Sequence, residues 1–309
     1  MSNVIEIINF TKRYGSLTAV ENLNLRIESG ELFGFIGPDG AGKTTTMRTL
    51  CTLLPIEQGE MYVAGKDVRK DVAYIRSIVG YMPQRFSLYP DLTVEQNLNF
   101  FADLFEVPAG EKQVRMEKLY AFSRLGPFKN RLADALSGGM KQKLALSCIL
   151  IHTPKILILD EPTTGVDPVS RQEFWEILHQ LRDEGVTILV STPYMDEAGQ
   201  CDRVAFMHCG KVLVEDKPQN LHRYFPFFLY EIEGENIHRL AEYFESFVQS
   251  HSVQMFGDRL HVSFEKELTE REMQRIIKES PLAINNMQKI KPGIEDTFLA
   301  LMEIQEEQN

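Results

Sequence analysis

The chain has 309 residues, a hydrophobic share of 43% and a formal net charge of −11. That length suits one large domain with a smaller appendage, or two of medium size, and the composition allows a substantial core. The acidic balance argues against a nucleic-acid partner and against direct adhesion to anionic lipid, so work at a membrane would need another protein to hold the chain there. The longest apolar runs, 156–159 and 225–230 (the latter interrupted by Pro226), fall far short of the roughly 18 residues that suggest a membrane-spanning helix. Met1–Glu6 lacks the basic and apolar regions of a secretory signal. Cys51, Cys148, Cys201 and Cys209 form no C-x-x-C pair, which predicts buried free thiols in a reducing cytosol and no zinc site.

Residues 4–30 predict strands. Leu23-Asn24-Leu25-Arg26-Ile27 alternates strictly, as a half-buried strand does, and Tyr14-Gly15 makes a turn. Tyr14 is open to two readings there, core packing or stacking on a base. Leu32–Ile36 is an apolar strand, followed by Gly37-Pro38-Asp39-Gly40-Ala41-Gly42-Lys43-Thr44-Thr45. This stretch fits G-x-x-x-x-G-K-[ST], the P-loop pattern. Glycines let successive backbone N–H groups turn inward around a phosphate chain. Lys43 adds a point charge at the outer phosphates, and the Thr44 hydroxyl can ligate a Mg²⁺ that bridges them. Met47, Leu50, Cys51 and Leu54 then recur at helical spacing as far as Pro55. Strand, loop and helix N-terminus together aim a helix dipole at an anion.

Glu60–Val63 predicts a strand, Gly65-Lys66-Asp67 a turn, and a polar stretch then leads to Ile78–Gln84. From about 85 to 136 the pattern is helical. One face carries Val94, Leu98, Phe101, Leu104 and Phe105, another Met116, Leu119 and Phe122, as expected of a helical insertion in an α/β domain. Leu136–Gln142 opens a helix to Ile151 with Ser137 as its N-cap. Lys155–Asp160 reads as a strand buried on both faces and ends in Asp160-Glu161-Pro162. Asp160 is placed to hold Mg²⁺, and Glu161 to orient and deprotonate a water. Asp167-Pro168 begins a helix that Gly185 stops, Val186–Val190 is another buried strand, and a hairpin turns at Cys209-Gly210. The whole is an α/β fold with a parallel sheet. Beyond it the order strand (Phe228–Ile232), helix (Ile237–Phe247), hairpin (Val253–Phe256, Leu260–Phe264), helix (Leu268–Lys278), strand (Met287–Ile290) suggests a ferredoxin-like α+β domain, closed by a helix over Ile294–Ile304.

These motifs, in this order, resemble the ATP-binding subunits of ABC transporters over about residues 4–217. Gly37–Thr45 resembles the Walker A loop and Ile156–Glu161 Walker B with its catalytic glutamate. Leu136–Met140 resembles the LSGGQ signature, Gln84 the Q-loop, Thr164–Asp167 the D-loop, and Tyr14 the aromatic that stacks on adenine. The resemblance implies catalytic roles for Glu161, Lys43 and Gln84, and Mg²⁺ contacts from Thr44, Gln84 and Asp160. It implies ATP contacts from Tyr14, from each residue of 37–45, and from Ser137, Gly138, Gly139 and Asp167. In that family two such domains sandwich two ATP molecules, one subunit's P-loop meeting the other's signature helix. Pro292–Leu299 and the Tyr194–Ala198 stretch resemble the ABC-2 exporters of drugs and polysaccharides. A separate permease and a location on the cytoplasmic face of the cell membrane are implied, with a second ATP-binding subunit, identical or not. The expected division is 1–217 for the ATP-binding domain and 218–309 for an accessory domain.

Three positions depart from the family pattern: Asp39 for a common Asn, Met140 for the last Gln of the signature, and Pro193 where the switch histidine belongs. Proline offers no side-chain donor, so slow hydrolysis is expected unless Ser191 or Thr192 reaches the phosphate. Two other readings stand beside the exporter subunit. A soluble ABC protein acting on ribosomes or DNA is disfavoured by the single P-loop and the acidic balance; a regulatory ATP sensor impaired by Pro193 is opposed by intact Lys43 and Glu161.

Overall fold

A computed structural model describes residues 3–85, 88–246 and 250–307. The chain divides into two compact units, Met1–Pro218 and Gln219–Asn309. The first opens with a long hairpin, β1 (Asn3–Tyr14) and β2 (Leu17–Glu28). Leu23, Leu25 and Ile27 of β2 are buried while Asn24, Arg26 and Glu28 are exposed, as the alternation requires. β3 (Leu32–Ile36) leads through the glycine loop to α1 (Lys43–Leu50). This helix stops short of the expected Pro55, because Cys51 caps it and Thr52 turns the chain at φ 59. β4 (Gln58–Val63) and β5 (Lys66–Asp67) complete an antiparallel sheet in the order β2-β1-β4-β5.

The polar stretch before Gln84 holds α2 (Val72–Ile78), which joins β6 (Val79–Met82). Only Ile75 and Ile78 of α2 are buried, too few apolar positions to show a period. Three helices follow: α3 (Val94–Leu104), α4 (Ala109–Ser123) and α5 (Gly138–Leu150). α3 starts at a Thr93–Gln96 capping box and buries Val94, Leu98 and Ala102, with the amide of Asn97 held by the backbone of Tyr89, Leu92 and Thr93. Leu104 and Phe105, expected on the buried face, are exposed: the helix ends at Leu104, and Glu106 turns the chain at φ 53.

The remainder of this unit comprises β7 (Ile156–Asp160), α6 (Pro168–Asp183), β8 (Thr187–Thr192), β9 (Arg203–His208) and β10 (Lys211–Asp216). A six-stranded sheet runs β10-β9-β3-β8-β7-β6, parallel throughout except for β10 at its edge. Every residue of β3, β7 and β8 is buried, which continuous apolar runs permit when both faces are covered. Pairing of Ile36 with Thr192, Asp160 with Ser191, and Met82 with Leu159 brings four carboxyl ends to one edge. Cys51, Cys148 and Cys201 are buried, but Cys209 is exposed, contrary to expectation. It stands with Gly210 at the tip of a tight hairpin, both at positive φ; Gly210 packs against Ala19, and the Cys209 side chain is left exposed.

The second unit contains β11 (Phe228–Gly234), α7 (Ile237–Glu245), β12 (Ser250–Phe256), β13 (Arg259–Phe264), α8 (Glu270–Glu279), β14 (Ile284–Lys289) and α9 (Ile294–Glu307). Phe247, the expected end of α7, lies outside the described residues. The sheet is antiparallel in the order β12-β13-β11-β14. Its core joins Tyr230, Ile232, Val262 and Phe264 of the strands to Leu240, Phe244 and Ile276 of α7 and α8. No helix among the described residues is long and apolar enough to cross a membrane.

Candidate nucleotide site

The loop after β3 is shaped by its glycines. Gly42 holds φ 102, and a Cβ there would press into the Ala19 carbonyl oxygen, so no other residue fits that closure. Gly37 and Ala41 are buried, Pro38 is half-buried, and Asp39 and Gly40 lie at the exposed tip. The Ala41 carbonyl accepts the Gly210 N–H at 3.1 Å, which ties the loop to the β9–β10 turn. Thr45 sits in the first turn of α1, where its carbonyl accepts the Thr49 hydroxyl.

Lys43 is almost wholly buried at 3% exposure. Its Nζ donates to the carbonyls of Gly37 (2.6 Å) and Pro38 (2.9 Å) and lies 3.3 Å from Glu161 Oε1. Asp160 has no exposed surface and Glu161 only 5%. Asp160 Oδ1 accepts the hydroxyls of Thr44 and Ser191, each at 2.9 Å, and the Tyr81 hydroxyl lies 3.5 Å from Oδ2. Burial pushes the Tyr81 phenol up to about 12, so it keeps its proton at neutral pH. Glu161 Oε2 accepts the Gln84 amide at 2.9 Å and the Thr164 hydroxyl at 3.4 Å. Lys43, Thr44, Gln84, Asp160 and Glu161, separated by up to 118 positions (43 to 161), thus form one bonded cluster at the carboxyl edge of the parallel sheet.

The other expected residues gather elsewhere. Ser137 caps α5 by accepting the Met140 N–H at 3.3 Å. Asp167 caps α6 through the Ser170 N–H at 3.0 Å, and that bond holds its carboxyl below the usual range. Gly139 sits against Ser170 so closely that any Cβ would overlap it. Ser137 and Gly138 are exposed, and Gly138 lines a cleft of about 420 Å³ together with Gln84, Lys141, Thr164 and Gly165. Among the described residues none of Ser137, Gly138, Gly139 and Asp167 is hydrogen-bonded to 37–45. Tyr14 ends β1 about half exposed, with the Lys12 ammonium 5.7 Å from its ring centre.

Pro193 stands just beyond the end of β8 (Thr187–Thr192). It precedes a short 3₁₀ segment, Met195–Gln200, whose N-cap Tyr194 is extended, so it occupies no first helical turn. The Ser191 hydroxyl is directed at Asp160, and Thr192 accepts the Tyr194 N–H at 3.0 Å. Ser191, Tyr81 and Thr164 are partners of the carboxylates that sequence reasoning did not assign. For Ser191 the signal is its register opposite Asp160, which exists only once β7 and β8 pair.

Residues 20–164 match the family model described as ABC transporter. The probable multidrug ABC transporter ATP-binding protein YbhF of Escherichia coli (strain K12) is 40% identical over 303 residues, which is 97% of this chain and 52% of that protein. The chain therefore spans about half the length of that relative. The Nod factor export ATP-binding protein I of Rhizobium etli is 33% identical over 302 residues, covering 96% of this chain and 92% of that one. Among solved structures, CbiO1 from Clostridium perfringens, part of the ABC transporter complex cbiONQ, superposes with a TM-score of 0.67 at 26% identity, over 72% of this chain and 92% of that one. The dimeric bacterial ABC transporter cassette MJ0796 gives 0.63 at 28% identity, over 69% and 98%. On its glycine loop, its bonded carboxylate cluster and a relative matched along nearly its whole length, the chain belongs to the ATP-binding proteins of the ABC transporter family.

Proposed function

We propose that residues 1–217 bind and hydrolyse ATP with Mg²⁺, and that this drives export through a separate ABC-2 type permease on the cytoplasmic face of the membrane. Residues 218–309 form an accessory domain. The observation that carries the reading is the cluster of Lys43, Thr44, Gln84, Asp160 and Glu161 around one loop. Loop N–H groups and the Lys43 ammonium receive the phosphates. Tyr14 stacks on the adenine. Glu161 takes the proton of a water as that water bonds to the γ-phosphorus and the bond to the bridging oxygen breaks, leaving ADP and phosphate. Gln84 holds the Glu161 carboxylate in place. The Thr44 hydroxyl and Asp160 carboxylate, 2.9 Å apart, are hard oxygen donors of the type Mg²⁺ takes. Held by these two residues, a Mg²⁺ would supply positive charge to offset that of the phosphates.

The exposed Ser137 and Gly138, together with Gly139 and Asp167, are left to meet the ATP held by a second subunit. MJ0796, described as a dimer and in a post-hydrolysis state with ADP and phosphate, supports that arrangement. The name of the Nod factor export ATP-binding protein I supports export as the direction of transport. A second reading, a regulatory ATP sensor with impaired hydrolysis, is favoured by Pro193 alone.

Glu161→Gln separates the readings. An amide cannot accept the proton, so turnover should fall by about 10²–10⁴-fold while ATP still binds, and an ATP-dependent dimer should appear in light scattering. Turnover within a few-fold of the wild type would remove Glu161 from the base role. A wild-type chain that binds ATP without hydrolysing it would favour the sensor.

A further inference from the structure

The end of β8 sends three successive residues to three places. Ser191, with no exposed surface, donates its hydroxyl proton to Asp160 Oδ1 at 2.9 Å and accepts the Glu161 N–H at 3.0 Å. Thr192 serves the loop instead: its carbonyl accepts the Gly37 N–H at 3.3 Å. Pro193 has neither a side-chain donor nor an N–H. A serine hydroxyl has one proton, and that of Ser191 is directed at Asp160.

Glu161 sits at φ 50, a left-handed backbone that a residue with a Cβ keeps only when its surroundings impose it. The constraint is visible at its N–H, which meets both the hydroxyl (3.0 Å) and the carbonyl (3.2 Å) of Ser191. From this bend the side chain reaches Lys43 Nζ at 3.3 Å and Gln84 Nε2 at 2.9 Å. Among the described residues, Ser191 is the only side chain hydrogen-bonded to both Asp160 and Glu161.

We propose that Ser191 is a positioning residue for ATP hydrolysis: its hydroxyl fixes the Asp160 carboxylate at the Thr44 hydroxyl and locks the backbone bend that aims Glu161 into the site. The proposal rests on the reading of Glu161 as the base and Asp160 as a Mg²⁺ contact. In this chain β8 therefore acts on the reaction from behind the carboxylates, through residue 191, and not through the side chain at 193. The competing account is a buried serine that merely satisfies its own hydrogen bonds, which would make it a matter of stability alone.

The test uses the full chain. Ser191→Ala should lower kcat by about ten- to a hundredfold, the scale of a small misplacement of reacting groups, with KM for ATP rising by no more than about tenfold. Ser191→Thr and Ser191→Val have the same shape and differ only in the hydroxyl; the first should retain turnover within a few-fold and the second should not. Binding of a fluorescent ATP analogue supplies a readout apart from activity. The gain in affinity on replacing EDTA by Mg²⁺ should shrink several-fold in Ser191→Ala, while affinity in EDTA stays unchanged. Equal losses in the threonine and valine variants, or a Ser191→Ala chain with wild-type turnover and an unaltered Mg²⁺ gain, would overturn the proposal. If the wild type fails to hydrolyse ATP, it is the reading of Glu161 that falls, and the Mg²⁺ gain still decides whether Ser191 holds Asp160.

Discussion

Both units gather charged side chains on a sheet, but they do so at different places on the strands. In the first, Asp160 ends β7 and Glu161 follows it, while Lys43 and Gln84 stand in or beside the segments after β3 and β6. Their partners include loop carbonyls, those of Gly37 and Pro38. In the second, Glu231 lies within β11, with His261 of β13 and Gln288 of β14 directly opposite. There the Arg259 guanidinium and the Gln288 amide take up the Glu231 carboxylate, and the guanidinium holds it below the usual range. His261 Nδ1 meets Asp296 of α9 at 2.7 Å. Cross-strand side chains satisfy one another and stabilise the sheet. Groups at the carboxyl ends of parallel strands face loop backbone, whose bonds a ligand can replace. A cluster of charges is therefore no sign of a site until its position along the strands is known.

The largest effect is expected from Lys43→Ala. It removes the charge proposed to meet the phosphates, so fluorescent-nucleotide binding should be lost, by at least about a hundredfold. It also leaves Glu161 buried without its cation, so circular dichroism must accompany the measurement; removal of one partner of a buried pair costs about 3–5 kcal/mol. A folded variant with unchanged ATP affinity would make the strand-end cluster a structural network like that of the second unit.

Pro193→His adds a donor just beyond the end of β8. Loss of one transition-state donor commonly costs about 10²–10³ in rate, so the histidine should raise steady-state turnover by tenfold or more, with ATP affinity nearly unchanged. A brisk wild type, and a histidine variant no faster, would mean that another residue already serves that position.

The smallest effect belongs to the second unit. Asp296→Ala removes the partner of His261 and the acceptor of the Gly293 N–H at 2.7 Å, and should cost about 1–3 kcal/mol of stability. Thermal melting should register the loss while nucleotide affinity stays within twofold. A tenfold fall in affinity would show that this polar face does more than hold α9.

The local chemistry of this protein is legible in its residues taken in order. The glycine spacing of 37–42, the lysine and threonines after it, the apolar run before Asp160-Glu161, and the signature at 136–140 are all contiguous patterns, legible because backbone geometry and residue type act over a few positions. Strand alternation in β2 and the strand–helix order of the second unit were legible for the same reason. The tertiary structure alone decided the rest. The pairing of β7 with β8 sets Ser191 opposite Asp160, a contact across 31 positions that no local pattern announces. It also decided that Phe105 and Cys209 face outward, since burial depends on which layer lies above a turn. Hydrogen bonds that join distant strand ends arise from register, and register is a property of the packed sheet.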